Sequence, residues 1–220
     1  MQVHKLTLVL FALCLVLAAP AGASVIWDFG GPPAGPVGSS SLTTDSVPPT
    51  GILLTAYGFN ADNTPHELYR KDEGYNEHGL GLVDTPDHEL TLNGIGFANY
   101  IQIDVSPIYR NSSNGQIRIQ SATVDESWDL WGVNTLGDLS GAVSLISGST
   151  VNNTFVTLPD WGTYKYYAVT THFASGAGHQ DDNVLFDAIA ADVPEPVSVA
   201  LAGGGLLLLI AFRRRLPSRG

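Results

Sequence analysis

Tyr100-Ile101-Gln102-Ile103-Asp104-Val105 alternates apolar and polar residues with a period of two. Successive side chains on a strand point to opposite faces, so Ile101, Ile103 and Val105 share a dry face while Gln102 and Asp104 share a wet one. Gln116-Ile117-Arg118-Ile119-Gln120 repeats the pattern, with Ile117 and Ile119 on the dry side. In the run 164–173, Tyr164, Tyr166 and Ala168 fall on one face, and Lys165, Tyr167 and Val169 on the other. A helix would need apolar residues every three to four positions, and these runs do not supply them.

Further short runs rich in β-branched and aromatic residues lie at 25–29, 52–59, 67–71, 89–92, 128–133, 142–146, 154–158 and 183–190. Turn-forming residues separate them. The Gly-, Pro- and Ser-rich stretch 30–51 reads as one long loop. No long amphipathic helical pattern occurs in residues 24–192. The expected fold is therefore all-β: an antiparallel β-sandwich, jelly-roll-like, of one domain's length.

This passenger, 24–192, holds five bases (Arg70, Lys71, Arg110, Arg118 and Lys165) against twenty of the chain's twenty-one acids, a formal charge of −15. Nucleic acid is excluded as a partner, because phosphate binding needs lysine and arginine. An acidic surface suits solubility outside the cell and divalent cations. The single cysteine, Cys14, lies upstream of the passenger, which therefore has no disulfide and no thiolate chemistry.

The two ends read as addresses. Residues 1–23 have a polar start with His4 and Lys5, an apolar stretch over 6–19, and Ala21-Gly22-Ala23 as an A-x-A cleavage site. That is the pattern of a secretory signal peptide, cut by signal peptidase to leave Ser24 first. Downstream, Val193-Pro194-Glu195-Pro196 precedes an uncharged stretch, 197–212, and then Arg213-Arg214-Arg215. As a helix that stretch would reach roughly 24 Å against a hydrocarbon core of about 30 Å, a short single transmembrane span. Arginine at the bilayer centre costs about 2.5–3.5 kcal/mol, so the three arginines stay cytoplasmic and the passenger faces outward. Gly203-Gly204-Gly205 weakens the helix. Pro194 and Pro196 hold Glu195 extended and without ladder hydrogen bonds, as a protease cleft requires.

Residues 193–215 resemble the PEP-CTERM sorting signal of Gram-negative bacteria that make extracellular polysaccharide. The resemblance implies export across the inner membrane, transient anchoring through 197–212, and cleavage near Pro194-Glu195-Pro196 by exosortase, a multi-pass membrane enzyme. Pro194, Glu195, Pro196, Arg213, Arg214 and Arg215 are then sorting-recognition residues acted upon by another enzyme. Leu216 to Gly220 extend past the basic cluster. Within the passenger, the acidic stretch from Asp72 to Glu77, then Gly79-Leu80-Gly81-Leu82-Val83 and Glu89-Leu90, resembles a segment of β-sandwich passengers carrying that signal. Trp161-Gly162 followed by Asp182-Asn183-Val184-Leu185-Phe186-Asp187 resembles the closing strand of galactose-binding-like jelly rolls.

Several residues are candidates for chemistry. Calcium takes about six to eight oxygens. Sandwiches of the carbohydrate-binding kind hold a structural calcium between an early loop and the last strand. That likeness implies a candidate metal site of Asp187 with Glu73 and Glu77; plainly solvated loop acids are the competing reading. His66, His78, His88, His172 and His179 lack the HExxH spacing and read as loop residues without partners. Ser39 to Ser41, Ser112 and Ser113 lie in no G-x-S-x-G elbow. Trp128, Trp131, Trp161, Tyr164, Tyr166 and Tyr167 are mainly core candidates. Trp128 and Trp131 point to opposite faces of a strand and cannot share one sugar-stacking platform. The function expected is an exported surface or matrix protein, linked to biofilm and exopolysaccharide, with no catalysis of its own. The alternatives are a carbohydrate-binding module on the same fold, or a glycoside hydrolase using paired carboxylates.

Overall fold

The computed structural model describes residues 22–74, 77–91, 99–123, 126–172 and 183–194. The chain divides into a compact unit, Ser24–Asp192, and a second unit made of Met1–Ala23 and Val193–Gly220. The second unit lies almost wholly outside the described residues. So do His179, Glu195, Pro196, Arg213, Arg214, Arg215, Ala21 and the expected span 197–212. Among the described residues, no helix is long and apolar enough to cross a membrane.

The described elements are, in chain order, β1 (Gly22–Asp28), β2 (Gly35–Pro36), β3 (Ser41–Asp45), β4 (Leu53–Phe59), β5 (Leu68–Asp72), β6 (His78–Leu82), a 3₁₀ turn (Pro86–His88), β7 (Leu90–Thr91), β8 (Tyr100–Asp104), β9 (Gly115–Gln120), β10 (Trp128–Val133), β11 (Val143–Ser149), β12 (Phe155–Thr157), β13 (Tyr166–Thr171) and β14 (Asn183–Pro194). The fold is all-β, in two sheets. The first runs β12-β9-β14-β6-β5-β2, with β1 and β7 also paired to β14. The second runs β11-β10-β13-β8-β4-β3. The strand pairings within both sheets, among the described residues, are antiparallel.

Alternation sorts the side chains as the sequence indicates. Ile101 and Ile103 on β8 are fully buried, as are Leu54 and Ala56 on β4, Trp128 and Leu130 on β10, and Tyr167 and Val169 on β13. Ile117 and Ile119 supply the dry face of β9 while Gln116 and Arg118 stay half-exposed. The sheets meet closely at Gly58, where an added Cβ would lie 2.7 Å from Leu82 and 2.9 Å from Leu68 of the first sheet. Burying leucine- or phenylalanine-sized side chains contributes about 1.5–3 kcal/mol each, and this interior is what holds the sheets together.

One expectation is corrected and one strand is added. The stretch 30–51 is not one loop, since it contains β2 and the full edge strand β3, in register with β4 from Ser41↔Tyr57 to Asp45↔Leu53. Ser-Leu-Thr-Thr-Asp hides this because an edge strand needs little apolar surface, and only Leu42 is apolar. The glycine-rich motif at 78–82, not among the expected strand runs, forms the strand β6, between β14 and β5.

Candidate functional site

The sheet geometry brings the chemistry-bearing residues into two clusters on the first sheet. The first is built on a β-bulge. Along β14, Phe186 pairs with Ile119 and Ala188 with Arg118, which leaves Asp187 as the extra residue. A bulge re-aims its side chain, and here it turns a carboxylate into the protein at 0 % exposure. Asp187 accepts hydrogen bonds from Arg118 Nε and, at 2.8 Å, from Gln120 Nε2, both on Oδ2. His78 Nδ1 lies 2.9 Å from Asp187 Oδ1. The other ring nitrogen, His78 Nε2, lies 4.0 Å from Asp28 Oδ1. Asp28 Oδ1 is fixed in turn by the Gly30 N–H at 2.9 Å. The Arg118 guanidinium also lies over the Phe155 ring, 4.9 Å from its centroid. Asp28, His78 and Asp187 offer atoms within 4.8 Å of one another, the spacing a metal requires.

The second cluster surrounds Lys71. Its ammonium lies 2.7 Å from Glu77 Oε2, 2.6 Å from Asp87 Oδ2 and 2.8 Å from Glu89 Oε1. Lys71 is 1 % exposed and Glu89 0 %, whereas Asp87 is 57 % exposed at the outer lip. Burial disfavours the ammonium, but hydrogen bonds to Asp87, Glu77 and Glu89 together outweigh it and hold Lys71 above its ordinary range. Burial pushes Glu89 up to about 7, with Lys71 and the Ser121 hydroxyl, which donates at 2.9 Å, offsetting part of the rise. Glu77, Asp87 and Glu89 converge as carboxylates of a hydrolase or a metal site would. The atom at their centre is Lys71 Nζ.

The calcium ligands named from the sequence are thereby separated. Lys71 pairs with Gly79 and Asp72 with His78. Neighbouring residues on a strand face opposite ways, so Glu77 turns with Lys71 while His78 turns to Asp187. Glu73 is exposed and donates its N–H to the Glu77 carbonyl at 2.9 Å. An ion at Asp187 Oδ2 would displace Arg118 and Gln120.

The described histidines are not bystanders. His66 bridges Asn60 Oδ1 at 2.7 Å and the Val83 carbonyl at 2.6 Å. His88 stacks on Tyr69 with ring centroids 3.9 Å apart. His172 Nδ1 lies 2.7 Å from Asp129 Oδ1, and Ser147 Oγ approaches the same nitrogen at 3.5 Å. A nucleophile relay needs serine and carboxylate on opposite ring nitrogens, so these three do not form one.

The aromatic candidates divide between interior and surface. Trp128 and Tyr167 are fully buried. Trp161 stacks on Tyr167 at 6.1 Å and Tyr164 meets it edge-on at 6.2 Å. Trp131 and Tyr166 instead lie on the outer face of the second sheet, half-buried, together with Tyr57, which the sequence reading passed over. The alternation Leu54, Ala56, Gly58 against Thr55, Tyr57, Phe59 was the signal for it. Compared with known protein families, curated proteins and solved structures, the chain matches none.

Proposed function

We propose that the chain is an exported surface or matrix protein whose jelly-roll-like sandwich is delivered by a PEP-CTERM-type signal, trimmed by exosortase, and works by binding rather than catalysis in an extracellular polysaccharide setting. The observation that carries the reading is the sequence order Pro194-Glu195-Pro196, uncharged 197–212, Arg213-Arg214-Arg215, which starts at Pro194, the last residue of β14. The compact unit Ser24–Asp192 lies between the two address segments, which supports treating it as cargo. The engagement of Asp187 by Arg118, Gln120 and His78, and of Glu89 by Lys71 and Ser121, supports structural roles for those carboxylates. Such networks stabilise a passenger that has no cysteine to cross-link.

Intact mass of the product from the native host tests the reading. Loss of residues 1–23 and of the segment beyond Pro194-Glu195-Pro196 is the expected result. A product that keeps the C-terminal segment would be an ordinary membrane-anchored protein, and the exosortase assignment would be abandoned.

A further inference from the structure

The outer face of the second sheet carries a set of polar side-chain ends that have no partner among the described residues. Register places Tyr57 opposite Gln102, Gln102 opposite Ala168, and Ala168 opposite Trp131. Two residues along the same strands, Thr55 faces Asp104 and Asp104 faces Tyr166. Tyr57, Tyr166 and Trp131 are half-buried and pack on Phe59, Tyr100, Val133 and Ala168. The loop after β10 closes one side: Leu139 and Ala142 pack on the same cluster. That loop is pinned where the Gly137 N–H donates to Gln102 Oε1 at 2.7 Å.

Three of the four tryptophans satisfy their indole N–H: Trp27 on Ile52 O at 2.8 Å, Trp128 on Val151 O at 2.9 Å, and Trp161 on Ser112 at 3.1 Å. Among the described residues, Trp131 has no such acceptor, and the Tyr57 and Tyr166 hydroxyls have no partner either. Asp104 Oδ1 accepts the Ser106 N–H at 2.8 Å, while Oδ2 accepts nothing from a described residue. These groups are close together: burial, then Asp104, then Tyr57 hold the Tyr166 phenol above its ordinary range.

We propose that this face is a binding strip for a neutral polysaccharide, with Trp131, Tyr166 and Tyr57 as the stacking floor and Asp104 Oδ2 as an acceptor for sugar hydroxyls. Aromatic rings with a free polar end suit sugars, which present a C–H face and a hydroxyl rim. Four strands at ~4.8 Å spacing place Tyr57 and Trp131 roughly 14 Å apart, a length for an oligosaccharide and not a single ring. The acidic passenger and the Asp104 carboxylate disfavour a polyanionic glycan. The inference deepens the export reading, which supplies the extracellular setting in which such a polymer is met.

Affinity electrophoresis of the full chain in detergent tests it, in native gels containing a neutral β-glucan, a neutral galactomannan or a polyuronate. One or both neutral polymers should retard the protein and the polyuronate should not. Trp131→Ala and Tyr166→Ala should each weaken retardation at least tenfold. Trp131→Phe, which keeps a ring, should retain most of it, and Asp104→Asn should weaken it less. Retardation by neither neutral polymer, stronger retardation by the polyuronate, or unchanged behaviour of the alanine variants overturns the proposal. So does a dimer in sedimentation that Trp131→Ala dissolves without any glycan effect, which would give the face to a second copy. This assay is independent of processing in the host, so either reading can fail alone.

Discussion

Lys71 is a buried cation on which a buried carboxylate depends. Its ammonium satisfies Glu89, a carboxylate at 0 % exposure, and the removal of one member of a buried pair leaves the other uncompensated. Lys71→Met should therefore lower the unfolding free energy by about 3–5 kcal/mol in urea titration; a loss below about 1 kcal/mol would show that water replaces the ammonium. Glu89 adds a pH dependence whose sign is fixed. Its carboxyl titrates near 4.5 in the unfolded chain and near about 7 in the folded one. Between those values the folded state keeps a proton the unfolded state has lost, so this group's contribution falls as pH rises through the window. Lys71, held above its ordinary range, stays charged throughout it. Glu89→Gln keeps an acceptor for Ser121 and removes the titration. The stability of the natural protein relative to that variant should thus drop by up to about 3 kcal/mol between about pH 4.5 and pH 7. A difference that stays flat over that range would mean Glu89 ionises as in the unfolded chain.

The strands differ in how much they owe to their own residues. β8 and β9 announce themselves, because Ile101, Ile103, Ile117 and Ile119 alternate with polar residues that reach water or a partner. β6 does not, because its defining feature is the approach of another segment. A Cβ at Gly81 would lie 1.8 Å from the His88 carbonyl oxygen. Only glycine lets the Pro86–His88 turn lie on the sheet and deliver Asp87 and Glu89 to Lys71. Gly81→Ala should push the turn away and cost about 2–4 kcal/mol, read by chemical denaturation. It should also raise hydrogen exchange at the Glu89 amide, which donates to Pro86 O at 3.2 Å. A neutral substitution would place the turn elsewhere in solution. The same distinction explains what the sequence concealed at the sites. The strand around Asp187 was readable, but the bulge depends on the length of its partner β9. Lys71, flanked by Arg70 and Asp72, reads locally as a solvated lysine, and its cage is assembled from β5, β6 and the turn after it. Gln102 appears in sequence as a wet-face residue, yet it is fully buried because the loop after β10 folds over it.

The compact unit Ser24–Asp192 begins and ends beside the two segments whose sequences read as addresses. The downstream address has two separable physical parts, and they fail differently. On the proposed reading Arg213, Arg214 and Arg215 act by desolvation cost: at about 2.5–3.5 kcal/mol each at the bilayer centre, they would set which side of the membrane the end of the expected span occupies. On the proposed reading Glu195 acts by recognition, since the prolines on either side of it in sequence disfavour helix and remove ladder donors. In the native host, Glu195→Ala should therefore leave insertion intact and block trimming, giving a membrane-fraction protein whose intact mass still includes residues 193–220. Deletion of 213–215 should instead loosen the stop and release untrimmed chain from the membrane fraction. Normal trimming in both variants, measured by mass and by fractionation, would mean that neither the tripeptide nor the basic cluster is read, and the address would have to lie in the passenger.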